Sequence, residues 1–261
     1  MTWSDVPLTY LASLGELDVL VQLKGLKTVS VVIPAQNEAP TIGAVLDAVQ
    51  ASTRRWPGLI DEILVVDDHS TDDTATVASR HGARVVALHG PGGKGQAMTY
   101  GLSQSTSDLV VFLDADVLNT TEEFVPRMIA PLLTNDHIQM VKAYYERPLH
   151  NMPTGGGRVT ELAARPILSL LFPGLGEIRQ PLAGETAGRR EVFEKVGFAD
   201  AYGVEIALLI DVAGNFGVNA IAQVDLGVRR HRNRPIEELR PMSVDVLRAA
   251  LTRFGVELPN H

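Results

Sequence analysis

Apolar positions along this chain follow two periods, and the switches between them mark out the elements. Short runs rich in Val, Ile and Leu at 29–33, 63–66, 84–88 and 109–113 read as buried strands. Pro34 is expected to stop the first of them. Between the runs the spacing becomes helical. Residues 41–49 place Ile42, Val45, Leu46 and Val49 on one face, and shorter helices are predicted over 74–80 and 96–103. Strands alternating with helices at these intervals predict βαβ units, right-handed crossovers and an α/β fold with a mostly parallel sheet flanked by helices.

The second half is less regular. Strands are expected over 138–144 and 220–228, a glycine-rich turn at 154–157 enters a helix, and a last helix covers 241–254. Leu8, Leu11, Leu14, Leu17, Leu20, Val21 and Leu23 fall largely at helical spacing, so residues 1–27 read as a helical docking or dimerisation segment without chemistry. No linker interrupts the chain between them. The expected division is an N-terminal segment 1–27, one α/β unit 28–240 with halves 28–118 and 119–240, and a C-terminal helix and tail 241–261.

Composition narrows the partners. A net charge of −8 over 261 residues argues against a nucleic-acid surface or a polybasic membrane anchor. No apolar run reaches the length that spans a bilayer, and the N-terminus lacks the layout of a signal peptide, so a cytoplasmic protein is expected. With no cysteine, disulfide scaffolds and thiolate metal sites are excluded.

Polar clusters then fall at three strand ends: Asn37-Glu38, Asp67-Asp68 and Asp114-Ala115-Asp116. In a parallel sheet those ends share one edge, where ligands of open α/β sheets bind. Asp114 and Asp116, two apart, leave on the same side. They either hold a hard divalent cation shared with substrate phosphates, or they open a solvated loop. Lys94 sits among Gly90, Gly92, Gly93 and Gly95 before a helix N-terminus, a setting that suits an anion but also describes a flexible surface loop. Gly157, Arg158 and Thr160 could take a phosphate or carboxylate, unless Arg158 merely pairs with Glu161. Glu205 interrupts an apolar run, and is structural if paired and functional if it faces a cleft. Arg229, Arg230, His231, Arg232, Asn233 and Arg234 follow directly on an apolar strand. They form either a solvated basic face or a site in which His231 completes a metal centre.

Taken together, Ile33-Pro34-Ala35-Gln36-Asn37-Glu38, Val66-Asp67-Asp68-His69-Ser70, Gly93-Lys94-Gly95 and Leu113-Asp114-Ala115-Asp116 resemble the GT-A nucleotide-sugar glycosyltransferases. The motifs from Thr154 to Leu162, Pro181 to Glu185, Tyr202 to Glu205 and Arg229 to Pro235 are similar to the actinobacterial glucosyl-3-phosphoglycerate synthases, and the likeness covers roughly 28–245. It implies a GT-A, Rossmann-like fold whose first half binds a nucleotide sugar and whose second half binds an acceptor. It implies a retaining, metal-dependent transferase that moves glucose from UDP-glucose to the 2-hydroxyl of 3-phosphoglycerate, with Mg²⁺ or Mn²⁺, as a homodimer. Pro34, Ala35, Asn37, Glu38, Asp68, Lys94, Asp114 and Arg229 would hold the donor. Gly157, Arg158, Thr160, Asn233 and Arg234 would hold the acceptor, and Asp116 and His231 the metal. Glu205 and the backbone carbonyl of Leu182 would lie at the reacting sugar, with Asp116 also catalytic. His69 stands where glycine is common in this motif, and the loop at 150–153 and the C-terminal tail look short for the family. The alternatives are mannosyl transfer from GDP-mannose, an inverting polyprenyl-phosphate sugar transferase, and a nucleotide-sugar-binding protein without catalysis.

Overall fold

The computed structural model describes residues 5–10, 14–146, 148–149, 152–155, 157–229 and 236–259. In chain order the first half holds β1 (Leu8–Tyr10), α1 (Leu14–Leu17), α2 (Leu20–Lys24), β2 (Val29–Ala35), α3 (Ile42–Arg55), β3 (Glu62–Asp67), α4 (Thr74–Arg80), β4 (Arg84–Ala87), α5 (Lys94–Gln104) and β5 (Leu109–Phe112). The second half holds α6 (Phe124–Thr134), β6 (Met140–Glu146), the hairpin β7 (Pro148–Leu149) and β8 (Met152–Gly155), α7 (Arg165–Leu171), β9 (Thr186–Arg189), α8 (Arg190–Val196), α9 (Val204–Phe216), β10 (Ile221–Val228) and α10 (Ile236–Phe254).

Among the described residues, eight strands form one sheet in the order β1-β10-β6-β9-β5-β2-β3-β4. All neighbours run parallel except β9, which is antiparallel to both β5 and β6. Side-chain alternation divides the interior into two cores. Val29, Val31 and Ile33 of β2 face one, with α2, α3 and α6, while Val32, Val110 and Phe112 face the other, with α5 and α7 to α10.

Several boundaries differ from the sequence expectation for identifiable reasons. Pro34 does not stop β2, which runs on to Ala35 and pairs Pro34 with Val66. The carbonyl of Val32 accepts from Leu113 on the β5 side, where the ladder then ends, and that of Ala35 accepts from Asp68 on the β3 side. Pro34 therefore faces the side that β5 has already left, so its missing N–H breaks no ladder bond. The N-terminal segment is not wholly helical. β1 extends the sheet beside β10, and Leu17 and Leu20 are buried in the first core. The apolar run around Glu205 is helix α9, and Pro241, expected to open the last helix, lies inside α10.

Candidate active site

β2, β3 and β5 end along one edge, and the three polar clusters meet there at a cleft of about 770 Å³, within the range of small-molecule sites. Pro34, Ala35, Gln36 and Glu38 line it from β2, Asp68 from β3, Gly92 to Lys94 from the start of α5, and Asp114 to Asp116 from the turn after β5. Gly157, Arg158, Thr160, Leu182, Glu205 and Arg229 line it from the second half.

The floor is a network of ion pairs. Lys94 opens α5 instead of lying in the loop before it, and its Nζ sits 2.7 Å from Asp114 Oδ1 and 2.7 Å from Glu205 Oε1. Burial by itself disfavours the Lys94 ammonium, but these two carboxylates outweigh it and hold the pKa above the ordinary lysine value. Arg229 Nη2 reaches Asp114 Oδ2 at 2.7 Å and Asp116 Oδ1 at 3.1 Å, and its Nη1 reaches Glu185 Oε2 at 3.0 Å and the Tyr145 hydroxyl at 2.5 Å. Burial would raise the Asp114 pKa, yet Lys94 and Arg229 prevail and hold it below the usual carboxylate range. Glu185, 1 % exposed, is shifted the other way: burial pushes its carboxyl upward despite Arg229. Beneath them Lys142 is fully buried. Its Nζ donates to the Ala183 carbonyl and, at 2.9 Å, to Thr186 Oγ1, and burial pushes its pKa down to about 8.

Close backbone approach keeps the layers together. A Cβ on Gly184 would meet the Asp114 carboxylate at 2.0 Å, and one on Gly95 would meet the Ala199 carbonyl at 1.9 Å. The 182–185 turn is thus pressed onto Asp114, and the start of α5 onto the 199–200 loop. His69 adopts φ +57°, the left-handed region glycine would favour. The turn that the motif requires is kept, and its ring Nδ1 lies 2.8 Å from Asp68 Oδ1.

Glu205 both pairs with Lys94 and lines the cleft. Glu161 pairs with Arg165 at 3.0 Å, and Arg158 lines the cleft. Arg165 opens a helix whose Pro166 has no N–H for the carbonyl four residues back, and a π turn over Thr160–Ala164 precedes it. Asn37 departs from its expected role. It is exposed, its side-chain oxygen accepts from the Thr71 N–H at 2.8 Å, and it staples the β2 turn to the β3 turn instead of lining the cleft. His231, Asn233 and Arg234 lie outside the described residues. Sequence reasoning missed Gln36, Gln96, Asp200, Leu239 and Met242 in the cleft wall and gave Tyr202 no role. It also missed Lys142 below. A lysine between apolar neighbours on a strand was the signal for the last; the others carry none.

Asp114 and Asp116 converge on one guanidinium nitrogen, so their oxygens already point at one cation position, and the Asp116 side chain remains 34 % exposed. Carboxylate oxygens at that position fit Mg²⁺ or Mn²⁺. Among the described residues no group of three acidic or histidine side chains is drawn close enough to hold an ion.

The open sheet with a single antiparallel insertion and acidic strand ends facing one cleft defines a glycosyltransferase of GT-A fold. The model of Glycosyl transferase family 2 matches residues 30–197. Glucosyl-3-phosphoglycerate synthase of Mycobacterium tuberculosis (strain ATCC 25618 / H37Rv) is 46 % identical over 258 residues, covering 94 % of this chain and 78 % of the relative. That of Petrotoga mobilis is 42 % identical over 248 residues, covering 90 % and 76 %. The crystal structure of the M. tuberculosis enzyme in complex with Mn²⁺, UDP-glucose and phosphoglyceric acid superposes with a TM-score of 0.88 at 44 % identity, covering 97 % of this chain and 88 % of that one. Its complex with Mg²⁺ and UDP gives a TM-score of 0.86. The chain belongs to glycosyl transferase family 2 and, within it, to the glucosyl-3-phosphoglycerate synthases.

Proposed function

We propose that this chain is a retaining glucosyltransferase that moves glucose from UDP-glucose to the 2-hydroxyl of 3-phosphoglycerate. The observation that carries the reading is one cleft with two anion-binding walls: Lys94 and Arg229 at the strand ends, and Gly157, Arg158 and Thr160 facing them from the second half. The likeness to synthases crystallised with both substrates supports it.

In this reading residues 28–118 form the nucleotide-sugar half and 119–240 the acceptor half. Pro34, Ala35, Glu38 and Asp68 hold the nucleoside, and Lys94 and Arg229 offset the charge of the diphosphate as it leaves. Asn37 keeps the turn that carries them. Asp116 and His231 hold Mg²⁺ or Mn²⁺, which when bound supplies Lewis-acid stabilisation of the diphosphate. Arg158, Thr160 and the amide of Gly157 orient the acceptor phosphate or carboxylate, and Asn233 and Arg234 are assigned to the same acceptor. Asp114 and Glu205 accept hydrogen bonds from the sugar hydroxyls. The Leu182 carbonyl supports positive charge on the ring while the acceptor attacks from the leaving group's own face. The working form is a homodimer in the cytoplasm.

The test is a panel of UDP-glucose, GDP-glucose and GDP-mannose against 3-phosphoglycerate, glycerate and glycerol 3-phosphate, with the anomeric product read by NMR. UDP-glucose with 3-phosphoglycerate should give the highest specificity constant and an α-linked product. A higher value for GDP-mannose, or an inverted product, overturns the assignment.

A further inference from the structure

We propose that Lys142 is a positioning residue for glycosyl transfer, holding the Leu182–Gly184 turn against the reaction centre from below. This inference rests on the function proposed above. Lys142 lies on β6 with no exposure to solvent, opposite Thr186 of β9. Its ammonium donates to the Ala183 carbonyl, and the next residue of β6, Ala143, donates its N–H to the Glu185 carbonyl at 3.1 Å. The turn between Leu182 and Glu185 is therefore fixed from β6 at two successive points. Its upper side leaves no slack, since Gly184 already touches the Asp114 carboxylate closely enough to exclude a Cβ. Leu182, at its start, lines the cleft.

A fully buried ammonium is an expensive way to satisfy one carbonyl and one hydroxyl, both of which a neutral donor could serve. Its charge has a use at this depth. Four carboxylates, Asp114, Asp116, Glu185 and Glu205, surround the floor, and Lys94 and Arg229 are the cations paired with them. Lys142 adds a third cation from below, where both Glu185 and Glu205 act on it. It thus places positive charge beneath these acids while fixing the peptide next to the Leu182 carbonyl. Misplacing such a group by a fraction of an ångström lowers turnover without touching nucleotide affinity.

The wild type is first assayed for glucose transfer to 3-phosphoglycerate. If none occurs, the reading of function has failed, and the same variants are then compared in hydrolysis of UDP-glucose. Lys142→Met is expected to lower kcat at least about 30-fold, with KM for UDP-glucose and calorimetric affinity for UDP and Mn²⁺ within about threefold of wild type, the asymmetry of a transition-state contact. Lys142→Gln, which keeps a donor for Ala183, should fall between the two. Thr186→Val, which removes only the hydroxyl partner, should keep most of kcat. The inference is overturned if Lys142→Met retains kcat within threefold, if nucleotide affinity falls in step with kcat, or if Thr186→Val is as damaging. It is also overturned if neither Lys142 variant folds, which would assign the ammonium to stability.

Discussion

Replacing Arg229 by methionine should destabilise the protein in a way that depends on pH and is reversed by a second substitution. Arg229 is 4 % exposed and pairs with Asp114, Asp116 and Glu185. Asp114 keeps Lys94, and Asp116 has solvent. Glu185 loses its ion-pair partner: its other oxygen has no hydrogen-bond partner among the described residues, and only the more distant charges of Lys94 and Lys142 still act on it. Stranding one member of a buried pair costs roughly 3–5 kcal/mol, and at about 2 °C per kcal/mol for a chain of this size Tm should fall by about 6–10 °C at pH 8. Burial raises the Glu185 pKa even with Arg229 in place, and removing the guanidinium raises it further. A carboxyl whose folded pKa lies above its unfolded value binds more protons when folded. Its penalty is therefore absent at low pH and grows as pH climbs through the window between the two values. The Tm gap between variant and wild type should accordingly be smallest near pH 5 and widest at pH 8. Arg229→Met with Glu185→Gln should recover most of the loss at pH 8, since a neutral amide has no charge to strand. Calorimetry across that pH range checks both. A single variant that melts within about 2 °C of wild type at pH 8, or a loss equal at both pH values with no recovery, would refute the reasoning.

Asp116→Ala, or wild type treated with EDTA, should lose turnover by orders of magnitude with its circular dichroism intact, and Mn²⁺ should restore only the treated wild type. Arg158→Ala should raise KM for 3-phosphoglycerate about 10- to 100-fold, the equivalent of one charge-assisted hydrogen bond of roughly 1.5–3 kcal/mol, with KM for UDP-glucose little changed; equal effects on both would place Arg158 elsewhere. His69→Gly should relieve left-handed strain of about 1 kcal/mol while losing the Asp68 contact, so Tm and UDP affinity should both stay close to wild type. A tenfold loss of UDP affinity would instead make the ring part of the base site. Light scattering at micromolar concentration should return the mass of a dimer, and a monomer would contradict that part of the proposal.

The fold was largely legible because its elements announce themselves by period. α4 runs over the residues expected, and β5 is the fully buried run that 109–113 implied. The antiparallel strand β9 carried no such signal. Thr186-Ala187-Gly188-Arg189 is small, partly polar and only four residues long, and it is a strand because β5 and β6 leave a gap of one strand between them. Gly188 is required there since a Cβ would strike the Phe193 ring at 2.5 Å. β1 was hidden for a related reason. Leu8, Thr9 and Tyr10 become a strand only because β10 offers an edge, and an edge supplied by residues two hundred positions away leaves no trace in local spacing.

The site was legible in its acids and much less so in its cations. Alternation and strand-end position pointed at Asp114 and Asp116, because those are consequences of local geometry. Which charges compensate them is a matter of topology: Lys94, Lys142 and Arg229 come from three separate elements and meet under one cleft. Read one at a time, Lys94 passed for a loop lysine and Arg229 for one arginine of a basic run, and Lys142 drew no reading at all. In the fold neither of those explanations holds, since all three line or underlie the cleft and two of them pair with the same aspartate. The acidic pair is therefore not a bare metal site waiting in solvent. It is one edge of a floor of paired charges, and the same contacts that lower the Asp114 pKa also tie the first half of the chain to the second.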